Sequence, residues 1–278
     1  MPGCVDQKTD ELPISPTSGG PSSNRLISIE HVSYRFASME AVHDISLRVE
    51  SGTIFGLVGS DGAGKSTLLR MAATMLRPAA GKITIAGLDT VSDRARIKNL
   101  IGYMPQRFGL YQDLTVEENI DFFMDIFGIH GAERKARKAL YLGFSNLLPF
   151  TDRPAGQLSG GMKQKLGLAC VLAHEPRLLI LDEPTNGVDP VSRQEFWEIL
   201  GKMKKKGMTI LVSTAYLDEG ERCDRIGLMH RAKLLKDAVP QEIRRGYPSL
   251  EEAIIDRIQE VDHELAQSAF KVTERPSP

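Results

Sequence analysis

The chain has 278 residues, a length that suits one domain with a core of ordinary size, with or without a sub-lobe. Hydrophobic residues make up 41% and charged residues 26%, as in soluble globular proteins. With 35 Lys and Arg against 36 Asp and Glu, the net charge is −1, so no broad basic field indicates nucleic-acid binding.

No apolar run approaches the about 20 residues that span a bilayer, and no signal peptide is visible. The three cysteines lack metal-ligand spacing, which suits a reducing cytosol. We therefore expect any role at a membrane to be carried out from the cytosolic side, through a partner.

The predicted elements begin after residues 1–24, a Pro-, Ser- and Gly-rich tail for which we expect disorder. Short apolar runs bounded by turn residues then predict strands at 26–29, 45–49, 53–58, 82–85 and 101–104.

The segment after the 53–58 strand fits the pattern G-x-x-x-x-G-K-[ST] without a mismatch. Its glycines let backbone N–H groups surround phosphate oxygens where a Cβ would obstruct them. Lys65 would bring a positive charge to the β- and γ-phosphates, and Ser66 a hydroxyl to Mg²⁺. A helix predicted over 65–76 would direct its N-terminal dipole at the phosphates. This phosphate-binding loop comprises Gly59, Ser60, Asp61, Gly62, Ala63, Gly64, Lys65, Ser66 and Thr67.

The loop predicts a binder of nucleoside triphosphates, the alternative being a chance match in a glycine-rich turn. The middle of the chain is predicted to be helical, beginning with a capping box at Thr115 and Glu118. Helices are expected from there to Gly128, over about 132–143, and from Leu158 to about 173.

An apolar strand predicted within 177–184 carries two carboxylates at its C-terminal end, Asp182 and Glu183. Asp182 can reach the Mg²⁺ held by Ser66, and Glu183 would lie beside the γ-phosphate, placed to orient and deprotonate water. Alone, such a strand end would be interpreted as a solvated turn. After a phosphate-binding loop, the catalytic interpretation is favoured.

The last third predicts a helix that starts at Asp189 and Pro190, a buried strand at 209–213, a closing hairpin over 226–235 and a helix capped by Ser249. Strands that alternate with helices predict an α/β sheet, with the helical middle as an insert.

The run Leu-Ser-Gly-Gly-Met-Lys-Gln at 158–164, here called the signature, exposes helix-terminal N–H groups and so predicts a second anion site. One chain has no obvious use for two γ-phosphate sites, whereas two chains facing head to tail have. Together these motifs resemble the nucleotide-binding subunits of ATP-binding cassette (ABC) transporters, over about residues 26–265.

The resemblance implies a P-loop NTPase fold of ABC type, with a RecA-like core, an antiparallel β subdomain and a helical subdomain at about 107–175. The domain would span 25–266, with a tail at 267–278. It implies ATP and Mg²⁺ as ligands, and ATP hydrolysis coupled to transport. The expected partners are integral-membrane permease subunits and a second ABC ATPase subunit, without nucleic acid, and the expected location is the cytoplasmic face of a membrane.

The resemblance also assigns roles to matching positions. Phe36, 23 residues before Gly59, would stack on adenine unless it is an ordinary core residue. Gln106 would contact Mg²⁺ or water and signal to the membrane partner unless it is a plain loop residue. The opposite chain's ATP would be touched by Ser159, Gly160 and Gly161, with Asp189 in the loop that communicates between the two sites. The catalytic set would be Glu183, Lys65 and Gln106, and the metal set Ser66, Gln106 and Asp182.

One position departs from the family. Where the family usually has Ser-Thr-His, with the histidine reaching the γ-phosphate, this chain has Ser213, Thr214 and Ala215. Loss of one preorganised donor typically slows the step by about 10²–10³-fold, so we expect ATP to be bound well and hydrolysed poorly. The alternative is that Thr214, Tyr216 or Glu183 suffices.

The run from Ser213 to Asp224 is similar to the first half of tandem ATPase chains of ABC-2 type multidrug exporters, which implies a partner with the intact histidine. The leading interpretation is an exporter ATPase, with the insert at about 107–148 as the docking surface for membrane helices. The alternatives are a soluble ABC protein that acts on ribosomes or DNA, and a regulatory, non-hydrolysing half.

Overall fold

The structure is a computed structural model that describes residues 24–273, so the N-terminal tail predicted for residues 1–24 lies almost wholly outside the described residues. The strands are β1 (Arg25–Phe36), β2 (Met39–Glu50), β3 (Ile54–Val58), β4 (Ala80–Ile85), β5 (Leu88–Asp89), β6 (Ile101–Met104), β7 (Leu178–Asp182), β8 (Thr209–Thr214), β9 (Arg225–His230) and β10 (Lys233–Ala238). The helices are α1 (Lys65–Ala72), α2 (Arg94–Lys98), α3 (Val116–Ile126), α4 (Gly131–Phe144), α5 (Gly160–Leu172), α6 (Pro190–Lys205), α7 (Pro240–Arg244) and α8 (Leu250–Thr273).

The strands form two sheets. A four-stranded antiparallel sheet has the order β2-β1-β4-β5, and a six-stranded sheet has the order β10-β9-β3-β8-β7-β6. In the larger sheet the five strands from β9 to β6 run parallel, and β10 pairs antiparallel with β9 as the predicted closing hairpin. The predicted α/β sheet with a separate antiparallel unit is confirmed.

The parallel strands are buried on both faces, and every residue of β3, β7 and β8 is buried. One face packs with α1 against the antiparallel sheet, and the other packs against α5, α6 and the helical insert. The carboxyl ends of β3, β6, β7 and β8 meet at one edge, where the open α/β folds bind their ligands. The phosphate-binding loop, Gln106, Glu183 and Ala215 follow these four strands in turn.

The helical insert is held by local polar contacts. The predicted capping box is present: the Thr115 hydroxyl accepts from the Glu118 N–H, and the Glu118 carboxylate accepts from the Thr115 N–H. The basic face of α4 lies against acidic residues of α3, with Lys138 2.8 Å from Asp121 and Arg134 2.9 Å from the same carboxylate. These cations therefore pair with carboxylates within the insert.

One predicted helix boundary was wrong. The first helix ends at Ala72 and not at residue 76, because Thr74 takes a left-handed backbone with φ of +62° and the chain turns before Pro78. The last helix extends to Thr273, and the end of the domain at residue 266 stays a prediction. None of the helices in the described part of the chain combines the length and the apolar character that a membrane crossing requires.

Candidate nucleotide site

The phosphate-binding loop connects β3 to α1. Gly64, the N-cap of α1, has φ of +100°, and a Cβ there would lie 2.1 Å from the Ala41 carbonyl oxygen. Only glycine fits this position. The Lys65 ammonium curls back over the loop and donates to the carbonyl oxygens of Gly59 at 2.7 Å and Ser60 at 2.9 Å. The loop therefore holds a buried cation next to a helix N-terminus, an arrangement that favours anions.

A cleft opens beside the loop, lined by its residues 62–67, by Phe36, Met39, Glu40 and Ala41 from the β1–β2 hairpin, and by Glu183. The Phe36 ring is 40% exposed and packs edge-on against Tyr34, 4.8 Å away. Because a core phenylalanine would be covered, this exposure argues against the alternative interpretation of Phe36. The ring is available at the cleft for stacking on a planar ligand.

Asp182 lies at the floor of the site, fully buried at the end of β7. Its Oδ1 accepts hydrogen bonds from the Ser66 hydroxyl at 2.7 Å and from the Ser213 hydroxyl at 2.9 Å. Its Oδ2 is buried and has no hydrogen-bond partner among the described residues. An unpartnered carboxylate oxygen is costly to bury, and oxygen ligands are those that Mg²⁺ prefers. The residues therefore fit a magnesium ion.

The described residues contain no cluster of three or more His, Cys, Asp or Glu side chains that could hold a metal. Mg²⁺ does not need one at a nucleotide site, since it is usually bound through one or two protein oxygens, substrate phosphates and water.

The Glu183 carboxylate makes three polar contacts with neighbouring side chains. Its Oε1 lies 3.1 Å from the Lys65 ammonium, with both side chains less than a tenth exposed. Its Oε2 accepts from the amides of Gln106 at 3.0 Å and Asn186 at 3.2 Å. The backbone of Glu183 is left-handed, with φ of +48°, a conformation that costs energy in a non-glycine residue. The fold thus aims this carboxylate at the loop.

The signature residues form a second group. Ser159 caps α5, its hydroxyl accepting from the Met162 N–H at 3.3 Å, and Ser159 and Gly160 are exposed. Asp189 caps α6 by accepting from the Ser192 N–H at 2.9 Å, a bond that holds the pKa of its carboxyl below the usual range. None of these residues is among those that line the cleft, which agrees with two separate anion-binding surfaces on one chain.

The loop after β8 carries Ala215 at the edge of the site. The Thr214 hydroxyl donates to buried Glu219 at 2.6 Å and accepts from the Tyr216 N–H at 3.0 Å. The Arg193 guanidinium covers the Tyr216 ring, 4.2 Å from its centre. Two of the three residues that we considered as substitutes for a histidine are therefore engaged in contacts within the loop and with α6.

Five residues of the site were not anticipated from the sequence. Ser213 joins Asp182 to the Glu183 N–H, Asn186 holds Glu183, and the cleft is also lined by Met39, Glu40 and Ala41. Ser213 pairs with Asp182 in the β7–β8 register, so the order of the strands was the missing signal.

The chain matches the family described as ABC transporter over residues 42–186. It is 46% identical over 223 residues to the probable multidrug ABC transporter ATP-binding protein YbhF of Escherichia coli (strain K12), a match that covers 80% of this chain and 39% of that protein. It is 39% identical to the Nod factor export ATP-binding protein I of Rhizobium sp. (strain N33), covering 80% of this chain and 73% of that one. The chain thus spans well under half of the Escherichia coli relative.

Solved structures give the same fold. One described as an ATP-binding subunit of an ABC transporter superposes with a TM-score of 0.75 at 29% identity, covering 84% of this chain and 99% of that one. Another, cbiO1 from Clostridium perfringens, described as part of an ABC transporter complex, superposes with a TM-score of 0.74 at 25% identity, covering 87% and 99%. On its fold, its phosphate-binding loop and its relatives, the chain belongs to the ABC transporter family, as an ATP-binding cassette of that family.

Proposed function

We propose that the chain binds ATP with Mg²⁺ and couples its binding and hydrolysis to the movement of a small molecule through separate membrane subunits, as part of an ABC-2 type exporter. The observation that carries the proposal is the meeting of Lys65, Ser66, Asp182 and Glu183 at one edge of a parallel sheet. The names of the relatives, which refer to multidrug transport and Nod factor export, support the exporter class.

The chemistry proposed for the site follows from its contacts. Phosphate oxygens would compete with Glu183 for the Lys65 ammonium and so free the carboxylate to orient a water molecule and accept its proton. Gly59, Ser60, Asp61, Gly62, Ala63, Gly64 and Thr67 would complete the phosphate cradle, and Phe36 would stack on the base. Ser66, Asp182 and Gln106 would hold Mg²⁺, which when bound neutralises charge on the phosphate oxygens.

The second anion surface calls for a second subunit. Ser159, Gly160 and Gly161 lie outside the cleft, so we propose that they close over the ATP of an opposing ATPase subunit, with Asp189 beside them. The opposing subunit would return the same contacts to this chain's cleft.

The membrane partner would dock on the helical insert. Tyr111, Phe122 and Ile126 are exposed apolar side chains of this region, and Tyr111 and Phe122 pack edge-on, 4.7 Å apart. Exposed apolar patches mark interaction surfaces. The patch follows Gln106 in the chain, which connects a docking surface to the site. We place the subunit at the cytoplasmic face of the membrane on this argument.

The first test is ATP binding by the purified chain in the presence of Mg²⁺. We expect Lys65→Ala to weaken binding by at least ten-fold, because the loop then loses its buried cation, and Glu183→Gln to bind ATP but not to turn it over. Lys98→Ala, which removes an exposed lysine of α2, is the matched control. Equal affinities for the parent and Lys65→Ala would contradict the assignment of the loop.

A second function, that of a regulatory half which binds ATP and hydrolyses it slowly, is favoured by Ala215. The variant Ala215→His separates it from the first, because its rate of hydrolysis exceeds that of the parent only if the missing histidine limits turnover.

A further inference from the structure

We propose that Ser192 is a positioning residue that fixes the signature to the Asp189 loop within one chain. Gly161 of α5 and Ser192 of α6 approach so closely that no side chain fits at position 161, and the two helix N-termini therefore move as one unit. The proposal rests on the proposed function, because its consequence is how this unit meets a second subunit.

The space around Gly161 is too small for a side chain. A Cβ on this residue would lie 2.3 Å from Ser192 Oγ and 2.4 Å from Ser192 Cβ, with Val188 Cγ1 3.5 Å away. Rotation of the Ser192 side chain would move Oγ out of the way, but Cβ is fixed by the backbone of α6. The backbone of Gly161 is not left-handed. Its position therefore demands glycine for space and not for conformation.

The neighbouring glycine behaves differently. Gly160 is exposed, and a Cβ there would meet nothing within 4 Å. The two glycines of the signature thus differ: Gly160 is exposed, whereas the Cα of buried Gly161 packs against Ser192 in the same chain, in addition to any contact that its N–H makes with a ligand.

The contact between Gly161 and Ser192 lies close to Asp189, the N-cap of α6. Val188 and Ser192, the two residues around Gly161, flank Asp189 in the sequence, and the Ser192 N–H donates to the Asp189 carboxylate at 2.9 Å. A change of the α5–α6 distance would therefore move the signature and Asp189 relative to each other. Since neither lines the cleft of its own chain, we expect this chain's own ATP binding to be unaffected.

The experiment exchanges the glycine between the two helices. Gly161→Ala, Ser192→Gly and the double variant are made in the Glu183→Gln background, where bound ATP persists. ATP affinity, ATP-dependent pairing of chains by light scattering, and urea unfolding without nucleotide are then measured. At chain concentrations too low for pairing, we expect Gly161→Ala to keep the ATP affinity of its background, because Gly161 does not line the cleft of its own chain. At higher concentrations we expect Gly161→Ala to lose at least ten-fold in pairing, and the double variant to return to within about three-fold of the background. Because the exchange keeps one glycine in the two helices, its effects on helix propensity largely cancel.

Two results would overturn the proposal. Pairing of Gly161→Ala at the level of its background would mean that the close contact is not needed. A double variant that binds ATP yet pairs no better than Gly161→Ala would mean that the added methyl group obstructs the opposing nucleotide itself. If Gly161→Ala is too unstable to assay, the urea unfolding data decide. Recovery of stability in the double variant requires the Gly161–Ser192 contact, and a double variant that recovers no stability refutes the proposal. Failure of the proposed function would appear differently, as loss of ATP binding in the parent chain.

Discussion

At the scale of single residues, Ala215 is expected to separate nucleotide binding from turnover. The groups proposed to bind the triphosphate, Lys65 and the loop amides, belong to the phosphate-binding loop and not to the segment after β8. Thr214 is committed to Glu219, and Glu183, the proposed base, pairs with Lys65. Ala215 itself has no side-chain donor of the kind that a histidine would supply to the developing charge.

We therefore expect Ala215→His to raise the rate of ATP hydrolysis by about 10²-fold with little change in ATP affinity, because a donor at a developing charge acts on the transition state. The measurement is steady-state phosphate release from the purified chain. Ala215→Leu, of similar bulk and without a donor, is the control. A parent that already turns over as fast as Ala215→His would show that the missing histidine does not limit it.

His174, at the end of α5, predicts a pH dependence of stability. Its ring stacks on Phe127 at 3.9 Å, and its Nε2 lies 3.0 Å from the Ile101 carbonyl oxygen. Burial lowers the pKa of this imidazole, so the unfolded chain takes up its proton at a higher pH than the folded chain does. The contribution is therefore complete above the unfolded pKa of about 6.5 and is lost as the pH falls from there through the folded value.

Urea unfolding between pH 8 and pH 5 measures this effect. We expect the free energy of unfolding to fall more steeply with decreasing pH in the parent than in His174→Phe, which keeps a stacked ring and removes the titrating group. Parallel pH profiles for the two proteins would contradict the assignment.

At the scale of elements, Asn119 of α3 forms hydrogen bonds with the segment that precedes this helix. It is fully buried, and its amide donates to the carbonyl oxygens of Tyr111, Leu114 and Thr115 at 2.9–3.1 Å. Its Oδ1 accepts from the Tyr111 N–H at 2.9 Å. One side chain thus bonds to four backbone groups of a segment whose other contacts include an isolated bridge from Thr115 to Pro154 and the hydrogen bond from the Ala155 N–H to Leu114.

Asn119→Leu should lower the free energy of unfolding by about 2–4 kcal/mol, because four hydrogen bonds of a buried amide are lost together and the Tyr111 N–H is left without its partner. Chemical unfolding of the variant against the parent measures this. Asn99→Ala, at an exposed position after α2, should change stability by less than about 0.5 kcal/mol. A loss no larger in Asn119→Leu than in Asn99→Ala would show that water replaces the lost bonds.

The long elements could be predicted because each has a signal in its local sequence. The capping box at Thr115, the proline and aspartate that begin α6 and the apolar run of β7 all lie within a few neighbouring residues. The early end of α1 could not be predicted, because it depends on the left-handed backbone of Thr74. Segments as short as β5 and α2, of two and five residues, are too brief to show a period.

The site divides in the same way. Lys65, Ser66, Asp182 and Glu183 stand in two contiguous motifs and could be predicted from them. The hydrogen bond from Ser213 to Asp182 depends on which strands are neighbours, and the contact of Gly161 with Ser192 depends on how two helices pack. Neither the strand order nor the helix packing can be predicted from a local sequence pattern.

At the scale of the whole molecule, the cleft and the signature are two incomplete halves. The cleft carries the residues proposed as phosphate cradle, metal ligands and base, while Ser159 and Gly160 present a capped helix terminus elsewhere on the surface. A chain of this kind gains most from a partner that faces it in the opposite direction, since one association then completes two sites.

This arrangement predicts complementation between two defective chains. In the Glu183→Gln background, ATP should drive pairing of the chain. Lys65→Ala should abolish it by emptying the cleft, and Ser159→Phe should abolish it by blocking the signature. A mixture of the two variants should pair again, because the intact signature of one covers the intact cleft of the other, and each such pair should hold one ATP instead of two.

Light scattering measures the pairing, and a count of bound nucleotide measures the ATP held by each pair. If the mixture fails to pair while the Glu183→Gln chain does, the two surfaces do not meet head to tail. If the Glu183→Gln chain itself pairs only after a second ABC subunit is added, that subunit supplies the opposing signature.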